Sequence, residues 1–296
     1  MVRTRRTLGA AVAFALGAAI LSACGSSSYS GPNLAKGLSA QQLQAQSQVQ
    51  ALKLTSFVLG LNGTVAVAAQ PKALGNSALA PLFGGSPIPV VGTGPVVPPD
   101  QFSLGLSISI AGTKTPVTLI QTGGHLYAVA LGRNILLPVA HATADLQRVI
   151  VGLIQTMTAP TLGSTKTIAG VPAQEISGNL NGVAASSLVD PVLNALPVTS
   201  VTKETRAQRL ARQDAIEKAL SQGTLHEWVR VSDLRPADVE VVAMIANGPA
   251  ISPALEHAAF DIAFDLSTYN APQTIAAPAN AVPMSTTQLQ GLLGAG

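Results

Sequence analysis

The sequence predicts an α+β domain in which helices cover one face of an antiparallel sheet. Residues 103–110 alternate between aliphatic side chains and serine or glycine, which indicates a strand with one apolar and one solvated face. Turn residues at 112–113 and 123–124 join this strand to two further strands and give a meander. Between 143 and 156 the aliphatic residues recur instead at helical spacing, which predicts a helix with one apolar stripe.

The N-terminal segment has the order of a secretory signal peptide. Three arginines precede an apolar run at 8–21 that is too short for a comfortable membrane span, and Leu-Ser-Ala then precedes Cys24. This tetrapeptide resembles a lipobox, so we expect residues 1–23 to be removed and Cys24 to be lipidated. An ordinary signal peptide with a chance cysteine is the alternative, and Sec and twin-arginine export both stay open. Residues 24–37, rich in glycine and serine, are predicted to form a lipidated flexible tether.

The mature domain is predicted to begin with a helix over 38–52 that has Ser39 as its N-cap. A strand follows from Phe57, with alternating apolar residues. Residues 71–99 are rich in glycine and proline and lack periodicity, which predicts a long loop. The meander described above comes next, with its second and third strands at 116–121 and 125–130.

The second half of the chain is predicted to continue with helices and strands in turn. Gly223 is expected to end the charged helix in the usual C-cap position. The predicted strands are 165–168, 171–177, 225–232, 239–245, 260–266 and 274–275, and the predicted helices are 182–196, 203–221 and 286–293.

Composition excludes several classes of protein. Cys24 is the single cysteine, so neither an intrachain disulfide nor a cysteine metal site is possible. The chain has 17 basic and 14 acidic residues, and removal of the three signal-peptide arginines makes the mature chain formally neutral. Such a chain gives no reason to expect nucleic acid as a partner. No second stretch is long and apolar enough for a transmembrane helix.

No catalytic constellation is present in the sequence. It has no HExxH motif, no nucleophile elbow and no phosphate-binding loop, and its histidines have no metal-ligand spacing. The histidines are His125, His141, His226 and His257. Asp261 and Asp265 share a strand face, where two solvated carboxylates are a simpler interpretation than an acid/base pair. The mixed charges of 203–221 indicate a solvated helix, with contact to anionic lipid as the lesser alternative. We therefore predict a protein that is not an enzyme and that needs no metal or cofactor.

Several short segments follow one another as in a known lipoprotein family. After the lipobox come TSF at 55–57, GGHLY at 123–127, TIAGVPA at 167–173, EWVRV at 227–231 and FDLSTYNAP at 264–272. In this order the chain resembles the actinobacterial LppX/LprG-type lipoproteins and, more loosely, LolA-like carriers.

The resemblance implies a half-barrel, in which a curved antiparallel sheet wraps around helices and leaves an apolar cavity. The cavity would bind the acyl chains of a lipid or glycolipid. The lipid-binding domain would span 38–284, with 285–296 as a tail or short helix. Residues 71–99 and 203–221 depart from the family pattern and look like insertions.

Candidates for the cavity come from the apolar periodicity, because the family has no motif-defined catalytic residues. They are Phe57, Leu59, Leu61, Leu104, Leu106, Ile108, Ile110, Val117, Leu119, Leu146, Ile150, Leu153, Ile154, Phe260, Ile262, Phe264 and Leu266. The same periodicity would fit a packed core. The sequence therefore leaves two functions open: a lipid carrier anchored on the extracytoplasmic side of the cell membrane, or an envelope lipoprotein that binds a protein partner or acts as a sensor.

Overall fold

The computed structural model describes residues 29–70, 84–110, 113–130, 132–139, 144–186, 205–251, 255–285 and 288. The chain divides into residues 1–31 and residues 32–296, and the second unit holds every element discussed below. The predicted signal peptide, Cys24 and the first part of the tether lie outside the described residues. Near the end of the predicted tether, the Leu34 amide donates to the Val231 carbonyl at 2.8 Å, and the bounds of the tether stay a prediction.

The described strands form one open sheet, in the order β12-β6-β5-β4-β3-β2-β1-β11-β10-β9-β8-β7. All neighbours are antiparallel except β12 and β6. The strands are β1 (Phe57–Ala69), β2 (Ile88–Val97), β3 (Gln101–Ile110), β4 (Thr113–Thr122), β5 (His125–Ala130), β6 (Arg133–Leu136), β7 (Met157–Ile168), β8 (Val171–Leu180), β9 (Thr224–Arg230), β10 (Pro236–Ile245), β11 (Leu255–Ser267) and β12 (Val282–Pro283).

Three helices of ten or more residues accompany the sheet in the described part of the chain: α1 (Ala40–Leu52), α2 (Leu146–Gln155) and α3 (Arg206–Leu220). Ser39 caps α1 as predicted, in a capping box with Gln42. α1 packs against α2 and against β7, β8 and β10, whereas α3 packs on β10. Among the helices of the described residues, none has the length and apolar character needed to cross a bilayer.

The sheet curves around α1 and α2. A flat sheet of this many strands would be about 50 Å wide, whereas a helix with its side chains is only about 10–12 Å across. Val96 of β2 and Phe102 of β3 nevertheless belong to the same core cluster as Ile176 of β8, which lies towards the opposite edge of the sheet. Residues of both helices belong to this cluster as well. Gly94 allows a close approach of β2 and β3, since a Cβ there would lie 1.8 Å from the Ser103 carbonyl oxygen. The α+β fold with an open, curved antiparallel sheet is therefore confirmed.

The prediction of one long loop over 71–99 is wrong for residues 88–97, which form β2 between β1 and β3. Gly92 and Gly94 occupy inner-face positions of β2, where a typical strand has aliphatic residues. The sequence of β2 therefore lacks the alternation of apolar and polar residues that predicts a strand. Whether this segment is an insertion relative to the family stays a prediction.

Smaller corrections concern element ends. Ser221, not Gly223, is the C-cap of the charged helix. Gly223 is needed for another reason, because a Cβ there would lie 2.8 Å from the Val242 carbonyl oxygen. No strand forms at 274–275, and the terminal strand is β12 instead. The helix predicted at 182–196 is helical over 182–186, and most of the remainder of that segment, like most of 286–293, lies outside the described residues.

Candidate functional site

The strand register places all the strand candidates on one face of the sheet, which we call the inner face. Leu59 lies opposite Leu266, and Leu61 lies opposite Phe264. Residues directly opposite each other in an antiparallel pair project to the same side. The inner face is the side that α1 covers, because Ser47 of α1 contacts Glu227, which lies in register with Val239 and Phe264.

The seventeen candidates differ in burial. Five are buried in the core cluster: Phe57, Leu59, Ile150, Ile154 and Leu266. Six are half-buried and packed against that cluster: Leu104, Leu119, Leu146, Leu153, Phe260 and Phe264. Four are half-buried and lie outside the cluster formed by the described residues: Leu61, Leu106, Val117 and Ile262. Ile108 and Ile110 continue the backbone register of the same face.

One cross-strand row shows how burial changes along the inner face. It runs through Ile176, Glu227, Val239, Phe264, Leu61, Gly92, Leu106, Val117, Ala130 and Arg133. The first three residues are fully buried beneath α1, the next six are half-buried, and Arg133 at the sheet edge is exposed. Along this row the inner face therefore has a closed half under α1 and an open half over β1 to β6.

Glu227 is a fully buried acid in the closed half. Its Oε1 accepts a hydrogen bond of 2.5 Å from the Ser47 hydroxyl of α1, and its Oε2 has no partner among the described residues. Burial raises the pKa of Glu227 to about 8, although the hydrogen bond from Ser47 acts in the opposite direction. The carboxyl is therefore neutral at pH 7.

Two glutamines complete the polar contacts that hold the helices in the closed half. Gln44 of α1 donates to the Ile154 carbonyl at 2.7 Å, which joins α1 to the C-terminal end of α2. Gln147 of α2 donates to the carbonyls of Ala51 and Leu54 at 2.7 and 3.0 Å, which satisfies acceptors at the end of α1. The helix pair is thus fixed by hydrogen bonds as well as by apolar contact.

A polar cluster occupies the opposite, outer face of the sheet. Lys166 Nζ lies 2.7 Å from Asp238 Oδ2 and 3.5 Å from the centroid of the Trp228 ring. Trp228 Nε1 and Asp238 Oδ1 are buried without hydrogen-bond partners. Asp265 lies opposite Asp238, and burial followed by repulsion from Asp238 raises the pKa of Asp265, with Lys166 opposing the rise.

The three histidines of the described residues do not come together in a metal site. His226 Nδ1 lies 2.9 Å from Glu175 Oε1. Burial acts to raise the pKa of Glu175, yet hydrogen bonds from His226 and Ser164 hold it below the usual value. His125 and His257 are exposed, and His141 lies outside the described residues. Within the described part of the chain, no three side chains of metal-binding type come together.

Two of the cavities lined by described residues lie away from the centre of the inner face. A cavity of about 800 Å³ lies between β6 on one side and residues 279–284 and Gln288 on the other, and we call it the edge cavity. Its lining includes Arg133 and Ile135. A smaller cavity of about 300 Å³ lies at Thr161, Ser177 and His226 on the outer face. The apolar cavity implied by the family resemblance stays a prediction.

Sequence reasoning missed Glu227 and Arg133. Leu225, Glu227 and Val229 alternate in β9, so the period-two pattern alone could have placed Glu227 on the apolar face. Arg133 lies in the short strand β6, which the sequence did not predict. The glycine turn before β6 and the two following aliphatic residues were the available signal.

Comparison with known proteins relates the fold to solved structures. No family model matches the chain, and no curated protein matches it in sequence. The crystal structure of LprF from Mycobacterium bovis is similar at 13% identity, covers 84% of this chain and 100% of its own, and has a TM-score of 0.48.

Two further solved structures are similar at lower scores. The lipoprotein LppX of Mycobacterium tuberculosis matches at 11% identity, over 80% of this chain and 100% of its own, with a TM-score of 0.40. A LolA-superfamily protein from Nitrosomonas europaea matches at 11% identity, over 80% of this chain and 95% of its own, with a TM-score of 0.27. The names LppX and LolA among these solved structures are also the names that the sequence resemblance indicated.

Proposed function

We propose that this chain is a lipid-anchored carrier of the cell envelope that binds the acyl chains of a lipid or glycolipid on the open half of its inner face. The observation that carries the proposal is the half-burial of Leu61, Leu106 and Val117, which continue the buried apolar row but lie beyond the core cluster. An apolar surface of this kind is stabilised when it is covered.

The open half suits a hydrocarbon ligand on energetic grounds. Each methylene group moved from water onto an apolar surface contributes about 0.8 kcal/mol, so ten of them contribute about 8 kcal/mol. The residues of the open half are mostly aliphatic, and a chain lying on them needs no polar partner. The carrier would thus hold its ligand by apolar burial and would catalyse no reaction.

The anchor is the second part of the proposal. Lipidation of Cys24 would keep the domain at the extracytoplasmic side of the cell membrane, within reach of its lipid ligand. Replacing Cys24 with serine should release the protein from the membrane fraction of its host, with the folded domain unchanged by circular dichroism. Retention of the Cys24→Ser protein in that fraction would show that the attachment does not depend on this thiol.

The binding function is tested by organic extraction of the protein purified from its host, followed by mass spectrometry. Val117→Gln, on the inner face, should reduce the recovered lipid severalfold, because it places an amide against the hydrocarbon. Val91→Gln makes the same change on the outer face, where Val91 is 49% exposed, and is the matched control. Recovery of no lipid from the wild type, or equal recovery from the two variants, would contradict the proposal.

A protein-binding module is the second candidate function, and α3 is the observation that favours it. The N-terminal half of this helix is exposed, and its Leu210 is 58% exposed. If a protein partner binds there, Leu210→Glu should abolish binding of the purified partner and leave the lipid content unchanged. Loss of lipid without loss of partner binding would favour the carrier function instead.

A further inference from the structure

The edge cavity lies where the inner face ends. β6 is paired with β5 on one side and with β12 on the other, and the Asn134 side chain donates to the Ala279 carbonyl at 2.7 Å. The segment 279–284 therefore forms the far wall of a cavity of about 800 Å³. This volume is in the usual range for small-molecule sites.

The strand register places Arg133, which lines the edge cavity, at the end of the row that crosses the open half. The row runs from Leu61 past Leu106, Val117 and Ala130 to Arg133, and it crosses β2 at Gly92. The row from Leu61 to Arg133 crosses five strand spacings, or about 24 Å at ~4.8 Å each. One leaflet of a bilayer holds its acyl chains in about 15 Å, half of its ~30 Å hydrocarbon core. An acyl chain of that length, laid along this row from Arg133, would cover about three of the five spacings and so lie on the open half.

The electrostatics of the edge cavity favour an anion. Arg133 is the one charged residue in its lining, and amide groups of Asn134, Asn280 and Gln288 supply further polar contacts. The Arg133 guanidinium forms no ion pair or hydrogen bond with any described residue. A guanidinium group presents a planar fork of donors that matches the oxygens of a phosphate or carboxylate. The open half itself offers hydrocarbon contact and no charge.

We propose that the edge cavity is a headgroup site, in which Arg133 binds the phosphate of an anionic diacyl lipid whose chains lie along the open half. The assignment rests on the proposed carrier function and adds the charge of the ligand to it. Apolar side chains in the cavity, including Ile135 and Met284, would contact the glycerol end of the chains while the headgroup faces solvent.

The test compares two ligands that differ only in charge: a phosphatidate with one fluorescent acyl chain and the diacylglycerol with the same chains. Arg133→Gln should weaken phosphatidate binding about tenfold and leave diacylglycerol binding within about twofold. Arg133→Lys should lose less, since it keeps the charge but not the planar fork. Arg206→Gln removes an exposed arginine from the first turn of α3 and should change neither affinity.

The outcomes separate this inference from the carrier function. If the wild type binds both ligands and Arg133→Gln weakens neither, or weakens both equally, the headgroup site is wrong and the carrier function stands. If the wild type binds neither ligand, the carrier function fails as well. Titration with inorganic phosphate alone distinguishes the source of the anion. The proposal expects no saturable binding, and phosphate affinity equal to that of phosphatidate would overturn the assignment to a lipid.

Discussion

Replacing Glu227 with glutamine is expected to lower the free energy of unfolding at acidic pH and to raise it at alkaline pH. In the folded protein burial raises the pKa of Glu227 to about 8, against an ordinary value of 4.5. Between these values the folded state holds a proton that the unfolded state has released. The free energy of unfolding of the wild type should therefore fall as pH rises through this range, and the loss is complete above about pH 8.

The size of the effect follows from linkage. A slope of about 1.4 kcal/mol per pH unit gives a loss of about 4 kcal/mol between pH 5 and pH 8. This is a large share of the 5–15 kcal/mol that usually stabilises a domain. Glu227→Gln has no proton to lose, so its stability lacks this slope. At pH 5 the variant should be the less stable protein. The glutamine places an NH2 group, with two donor hydrogens, where Oε2 has no hydrogen-bond partner. At pH 8 the variant should be the more stable one.

Urea unfolding at pH 5, 6, 7 and 8 measures this difference, with fluorescence of Trp228, the single tryptophan, as the signal. The free energy of unfolding of the wild type minus that of the variant should fall by about 4 kcal/mol across the series. The exposed Glu256 provides the matched control, and Glu256→Gln should show no comparable trend. A difference for Glu227→Gln that stays constant within about 0.5 kcal/mol from pH 5 to 8 would refute the buried, neutral carboxyl.

Three further changes test contacts of the closed half and the outer face. Ser39→Ala removes the capping box of α1 and should lower the free energy of unfolding by about 1 kcal/mol in urea titrations, and no loss would show that the cap is not formed. Gln147→Leu leaves two carbonyls at the end of α1 without their donor and should cost about 2–3 kcal/mol by the same measurement; a cost below about 0.5 kcal/mol would contradict these hydrogen bonds. Lys166→Met removes the cation above Trp228 and beside Asp238, whose side chains are partly screened by solvent. It should cost about 0.5–1 kcal/mol at pH 7 and change the emission of Trp228, and an unchanged spectrum would contradict the ring contact.

The parts of the fold that could be predicted from the sequence are those set by local pattern. The cap of α1 follows from Ser39 and Gln42, and the inner-face residues of β3 and β11 follow from strict alternation. Local pattern could not give β2, because Gly92 and Gly94 stand where the aliphatic positions would be. It also could not give the pairing of β1 with β11, which joins residues about 200 positions apart.

The sequence predicts which residues lie on the inner face, but it does not predict which of them are buried. Alternation placed Leu61 and Leu59 on the same face, and the structure shows that Leu59 is buried while Leu61 is half-buried. That difference depends on whether a residue belongs to the core cluster, which is formed by tertiary contacts that no local pattern encodes. For the same reason, the neutral state of Glu227 and the position of Arg133 at the end of the row emerge only from the folded chain.

The sequence of α1 explains why half of the inner face stays open. The helix buries Ala40, Leu43 and Ala51 together with the polar residues Gln44 and Ser47, so its buried side is narrow and mostly small. Its other large aliphatic residues, Val49 and Leu52, are exposed. Such a helix can approach the sheet closely, but it cannot cover the row beyond Val239. The hydrogen bond between Ser47 and Glu227 adds to this narrow apolar contact in fixing the position of α1.

This arrangement has a consequence for a carrier. A helix with a broad apolar side would cover the open half and compete with any acyl chain for Leu61 and Leu106. Enlarging the buried side of α1 should therefore displace the ligand. Weakening the contact between α1 and the sheet should not displace it. Ser47→Leu would add apolar surface opposite Glu227 and break the hydrogen bond, and we expect it to destabilise the protein because it leaves the carboxyl without its donor. The polar contact between α1 and the sheet thus lets the closed half stay folded while the open half remains free for hydrocarbon.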